Sequence, residues 1–60
     1  MSNSPFVKAM QVIKSCNSEK QFHSVAKFIA LAARHYDDGN HTFRRLKWAF
    51  EFRKMEIKNA

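Results

Sequence analysis

Apolar residues recur at intervals of three and four along almost the whole chain, and only two stretches, Asn17-Ser18 and Asp37-Asp38-Gly39-Asn40, interrupt the pattern. That spacing places apolar side chains on one side of a helix with about 3.6 residues per turn. The chain contains one Gly and one Pro, and no run alternates cleanly in the period of two that a half-buried strand requires. The expected fold is therefore all-α: a single domain over residues 1–60 forming a compact three-helix bundle with short turns. Its helices are expected over about residues 5–15, 19–36 and 41–57. An L-shaped helix-turn-helix arrangement of the last two helices is the alternative that the turn length also permits.

Local signals set the expected ends. Ser4-Pro5 reads as a hydroxyl N-cap followed by proline at the first helical position, where a missing N–H costs least. Phe6, Ala9, Met10, Ile13 and Cys16 then form one stripe, with Lys8, Gln11 and Lys14 facing away. Ser18-Glu19-Lys20-Gln21 matches a capping box, in which Ser18 accepts from the third helical N–H and Gln21 reaches back. The second stripe is Phe22, Val25, Ala26, Ile29, Ala32, Ala33 and Tyr36. Gly39 suits the left-handed backbone of a helix stop, and either Asn40 or Thr42 is expected to cap the third helix.

A chain of 60 residues makes one small domain and buries only about 60% of the surface its unfolded form exposes. That leaves little room for a deep catalytic cleft, so an enzyme is not expected. Hydrophobic residues are 45% and aromatics 13% of the chain, enough apolar surface to offset the entropy of ordering it. The single cysteine closes no intramolecular disulfide, Met1 to Pro5 lack a basic segment with an apolar signal core, and no apolar run approaches a membrane span. The expectation is a soluble cytoplasmic protein that does not enter a membrane.

On the third helix the apolar residues fall into two sets. Phe43, Leu46, Phe50 and Ile57 cluster within roughly 60° of its circumference. Trp48, Phe52 and Met55 form a second stripe centred roughly 170° away. One small core cannot bury opposite faces of the same helix, so the second stripe should look outward unless another chain covers it. Its three residues are the candidate partner-binding site, with Trp48 the expected anchor because Trp is favoured at binding hot spots. Phe28 and Leu31 on the second helix also drift off its main stripe and would widen such a patch. The simpler alternative folds Trp48 over a bundle edge and leaves Met55 an ordinary exposed apolar residue.

The net charge of +6 is concentrated around this stripe: six of the 11 Lys and Arg residues lie within residues 44–60. Arg44, Lys47, Lys54 and Lys58 flank it on one side, interrupted by Glu51, and Arg45 and Arg53 flank it on the other. These six are the candidate contacts to nucleic acid or to an acidic protein surface, because Lys and Arg steer anions at long range and guanidinium groups grip phosphate in forked geometry. Interleaved aromatics also suit stacking on exposed bases. The alternative is a solvated cationic face, with Lys47 and Glu51 spaced for an i,i+4 ion pair. Direct reading of duplex DNA fits less well, because Phe43 and Leu46 interrupt the residues that would enter a groove.

No catalytic, metal-binding or cofactor-binding residues are expected. Cys16, His23, His35 and His41 form no CxxC or HxxxH spacing, and Cys16 falls on the apolar stripe of a core residue. His35, Asp37, Asp38 and His41 cluster around a turn, where turn chemistry accounts for them more simply than a bound cation does.

The run Val12-Ile13-Lys14-Ser15-Cys16-Asn17-Ser18-Glu19-Lys20-Gln21-Phe22, followed by an alanine-rich helix ending in His35-Tyr36 and a Lys- and Arg-rich last helix, resembles the small helical proteins of bacteriophages and mobile elements. In character the chain is similar to anti-CRISPR inhibitors, which bind a nuclease effector and obstruct its engagement of guide RNA or target. Those inhibitors share no sequence signature, so the resemblance transfers no individual residue. It implies a small, basic, non-enzymatic interaction protein that inhibits by binding a host protein or ribonucleoprotein effector in the cytoplasm of a bacterial cell. The alternatives are a regulator that binds DNA or RNA directly, and a structural homodimer that covers its own outward stripe.

Overall fold

A computed structural model describes residues 4–59. Three α-helices follow one another, α1 (Pro5–Ser15), α2 (Phe22–Ala33) and α3 (His41–Lys58), with a short 3-10 turn at Glu19–Gln21 leading into α2. Each helix packs against both others, and no strand occurs among the described residues. The all-α three-helix bundle expected from the apolar spacing is the observed fold.

The three inner stripes meet in one core. Ala9, Ile13 and Cys16 come from α1 and its C-cap, Val25, Ile29 and Ala32 from α2, and Leu46 and Phe50 from α3. Leu46 is fully buried, and the Phe50 ring meets the Phe22 ring edge-on, with centroids 5.8 Å apart and planes at 88°. Edge-to-face contact brings the positive rim of one ring to the negative face of the other. Phe43 and Ile57, expected inside, are only half-buried, and Ala26, expected on the inner stripe of α2, is exposed. Ala26 lies at the seam between α2 and α3 beside Phe43 and Lys54, where its short side chain does not reach the core.

The N-terminus of α1 forms as its residues specify: Ser4 Oγ accepts from the amide of Val7 at 3.2 Å, and Pro5 occupies the first turn. The capping box before α2 forms only in part. Ser18 makes no side-chain cap bond, whereas Gln21 Oε1 accepts from the amide of Asn17 at 2.8 Å. Because the segment opens as a 3-10 turn, with Gln21 N–H bonded to the Ser18 carbonyl, the glutamine reaches one residue further back than the box requires.

Two further expectations are corrected at the next turn. Helix α2 ends at Ala33 rather than at Tyr36. The amides of His35 and Tyr36 bond three residues back, to Ala32 and Ala33, which tightens the last turn and swings Tyr36 off the helix axis. Its hydroxyl then accepts from the amide of Phe6 at 2.9 Å, satisfying a free N–H in the first turn of α1. Asn40, one of the two residues expected to cap α3, stands at its N-cap, but the side-chain cap bond comes from Asp38. Gly39 and Asn40 both adopt left-handed backbone, at φ 63° and 69°, and the Asn40 side chain makes no cap bond. The reversal brings Asp38 over the start of α3, where its carboxylate accepts from both the amide and the hydroxyl of Thr42.

Candidate interaction face on the third helix

Packing of Leu46 and Phe50 into the core fixes the rotation of α3 and so determines what its far side presents. Trp48, Phe52 and Met55 are 70%, 54% and 61% exposed. The outward stripe is therefore present, and its aromatic members are organised: Trp48 and Phe52, one turn apart, stack with centroids 5.7 Å apart and ring planes at 26°. Mutual stacking restricts both rings before any partner arrives, which lowers the ordering cost of binding. Phe28 and Leu31 do not widen this patch. They line the groove between α1 and α2 with Pro5, Lys8, Ala32 and His35, and share no groove with Trp48.

The six cationic side chains divide by what they touch. Arg53 is turned inward, its Nε donating to the carbonyl oxygen of Cys16 at 2.9 Å and its guanidinium 3.7 Å from Glu56. Lys54 is half-buried; its Nζ lies 2.8 Å from a Glu51 carboxylate oxygen and 4.8 Å from the centroid of the Phe50 ring. These two are committed within the domain. Glu51 therefore pairs with Lys54 at i,i+3, not with Lys47 at i,i+4 as the spacing suggests. The hydrogen bond from Lys54 holds the Glu51 carboxyl below its ordinary pKa, with Lys47 and Lys58 adding to the effect at longer range.

Arg44, Arg45, Lys47 and Lys58 remain exposed and form no ion pair among the described residues. Arg45 is positioned nonetheless, its guanidinium carbon 5.2 Å from the centroid of the Phe6 ring on α1. That cation–π contact draws Arg45 to the rim of a groove of about 450 Å³ between α1 and α3. Phe6, Met10 and Ala49 form its apolar lining, Trp48 stands on its α3 side, and His41, Arg44 and Arg45 supply the polar groups. Spacing within single helices does not reveal this groove, because it depends on how α1 and α3 meet. Its trace in the sequence is the pair Phe6 and Met10, four apart at the edge of the α1 stripe and only half-buried in the fold.

Comparison with protein-family models, with curated proteins and with solved structures finds no match to this chain. No helix among the described residues is long and apolar enough to cross a membrane. Cys16 is buried in the core, its thiol 3.7 Å from the carbonyl oxygen of Ser18. The acidic turn before α3 serves helix capping through Asp38.

Proposed function

We propose that this chain is a small non-enzymatic interaction protein of phage or mobile-element type, which docks on a host nuclease or protein–RNA complex and interferes with its RNA engagement. The observation that carries this reading is the stacked, exposed Trp48–Phe52 pair beside four cations without an ion-pair partner among the described residues. Trp48, Phe52 and Met55 supply the apolar centre that a binding site buries. Arg44, Arg45, Lys47 and Lys58 form the cationic border, steering the protein toward acidic or phosphate-bearing surfaces such as those where RNA meets protein. Bound there, in the cytoplasm of a bacterial cell, a domain of this size obstructs the RNA path by occupancy alone.

Affinity capture from host lysate, with and without nuclease treatment, tests the reading with the wild type and Trp48→Ala. A partner that survives nuclease and is lost with the variant supports it. Recovery that vanishes on nuclease treatment favours direct nucleic-acid binding instead, a second reading motivated by the same stacked aromatics and exposed arginines.

A further inference from the structure

The groove between α1 and α3 combines an apolar lining with cations at its border, and its residues differ in part from the outward stripe. The side chains of Phe6 and Ala49 offer neither a hydrogen-bond donor nor an acceptor, and the thioether of Met10 is only a weak acceptor. A polar ligand edge buried against them loses water with little compensation. Arg44, Arg45 and His41 stand beside this lining, and no acidic residue lines the groove with them. Trp48 belongs to both features: it stacks on Phe52 and also lines the groove, which Phe52 does not.

We infer that the α1–α3 groove is a docking site for an acidic peptide segment of the partner protein, one that inserts a large aromatic or aliphatic side chain beside Trp48 and lays its carboxylates on Arg44 and Arg45. This rests on the reading of the chain as an interaction protein and names the chemistry of what it grips. Two features of the groove select this occupant. A nucleobase carries donors and acceptors on its edges, for which Phe6 and Ala49 offer no partner and the Met10 thioether only a weak acceptor, whereas a Phe or Leu side chain carries none. A second copy of this chain would bring its own excess of +6 charge toward the same cations. An acidic segment meets both requirements, the apolar lining through its anchor and the arginines through charge-assisted hydrogen bonds.

Fluorescence anisotropy on the purified 60-residue protein tests the inference with three labelled probes. These are a glutamate-rich peptide with a central Phe-Leu pair, the same peptide with both replaced by Ser, and polyuridine RNA. The expected result is saturable binding of the Phe-Leu peptide, with the Ser peptide and polyuridine each about tenfold weaker or more, as loss of a buried anchor entails. Ala49→Glu, which places a negative charge in the groove and leaves the outward stripe intact, should abolish peptide binding, and Arg45→Ala should weaken it about tenfold. If circular dichroism shows Ala49→Glu to be unfolded, Arg44→Ala and Arg45→Ala, both at exposed positions, decide the matter. Absence of Phe-Leu peptide binding at low salt, equal binding of the Ser peptide, or tighter binding of polyuridine overturns the inference. Failure here alongside Trp48-dependent lysate capture removes only the groove's assignment, whereas peptide binding without any captured partner removes the proposed function.

Discussion

Arg53 Nε donates to the carbonyl oxygen of Cys16 at 2.9 Å, so a side chain of α3 closes the C-terminal end of α1 from 37 residues away. The last carbonyls of a helix have no intrahelical partner, and a guanidinium also carries charge suited to the negative end of the helix dipole. This contact takes Arg53 out of the set of cations free to meet a partner.

Arg53→Ala should therefore lower stability by about 1–2 kcal/mol, the range for a part-exposed hydrogen bond with a charged donor. Urea unfolding followed by circular dichroism measures the loss. Partner capture by the folded variant should be unchanged, in contrast to Arg45→Ala.

Tyr36→Phe removes the hydroxyl that accepts from the Phe6 amide. A loss of about 1 kcal/mol is expected, since the amide at this part-buried helix start loses its partner. Thermal melts of the two proteins provide the comparison.

Leu46→Ala and Trp48→Ala separate the two faces of α3. Leu46 is fully buried, and its truncation should cost about 2–5 kcal/mol, enough to unfold much of a domain this small. Trp48 is 70% exposed, so its truncation should cost under about 1 kcal/mol, the value of its stacking on Phe52. Paired urea titrations should show a large shift for the first variant and a small one for the second.

Stability should fall in acid partly through the cap of α3. The side-chain hydrogen bond from Thr42 holds the Asp38 carboxyl below the 3.8 of an ordinary aspartate. A carboxyl whose folded pKa is depressed stabilises the fold above its unfolded pKa, and that contribution disappears as pH falls through the folded value. Asp38→Ala should be less stable than the wild type at neutral pH, and the difference should close in strong acid. Unfolding midpoints across the acid range measure it.

The sequence was most legible where structure is local. The three-and-four spacing places Ile13, Ile29 and Leu46 in one core, and helical arithmetic turns Trp48, Phe52 and Met55 outward without reference to any other element. Ser4 and Pro5 likewise mark the start of α1 through contacts within one turn. The capping of α3 was legible only in position: Asn40 stands at the N-cap, but the capping bond comes from Asp38, because two consecutive left-handed residues bend the chain back. The bonds made by Tyr36 and Arg53 were not legible for another reason. Their partners, Phe6 and Cys16, lie 30 and 37 residues away, and no periodicity within a helix encodes such a bond. The candidate site divides the same way: the stripe follows from α3 alone, whereas the groove with Phe6 and Met10 exists only once α1 is packed beside it.

Partner recovery by the wild type and by Trp48→Ala, from the same nuclease-treated lysate and with both proteins shown to be folded, tests the central claim most directly. The stacked, outward-facing aromatic pair predicts a protein partner recovered by the wild type and lost with the variant. Equal recovery by both, or no partner with either, would contradict it.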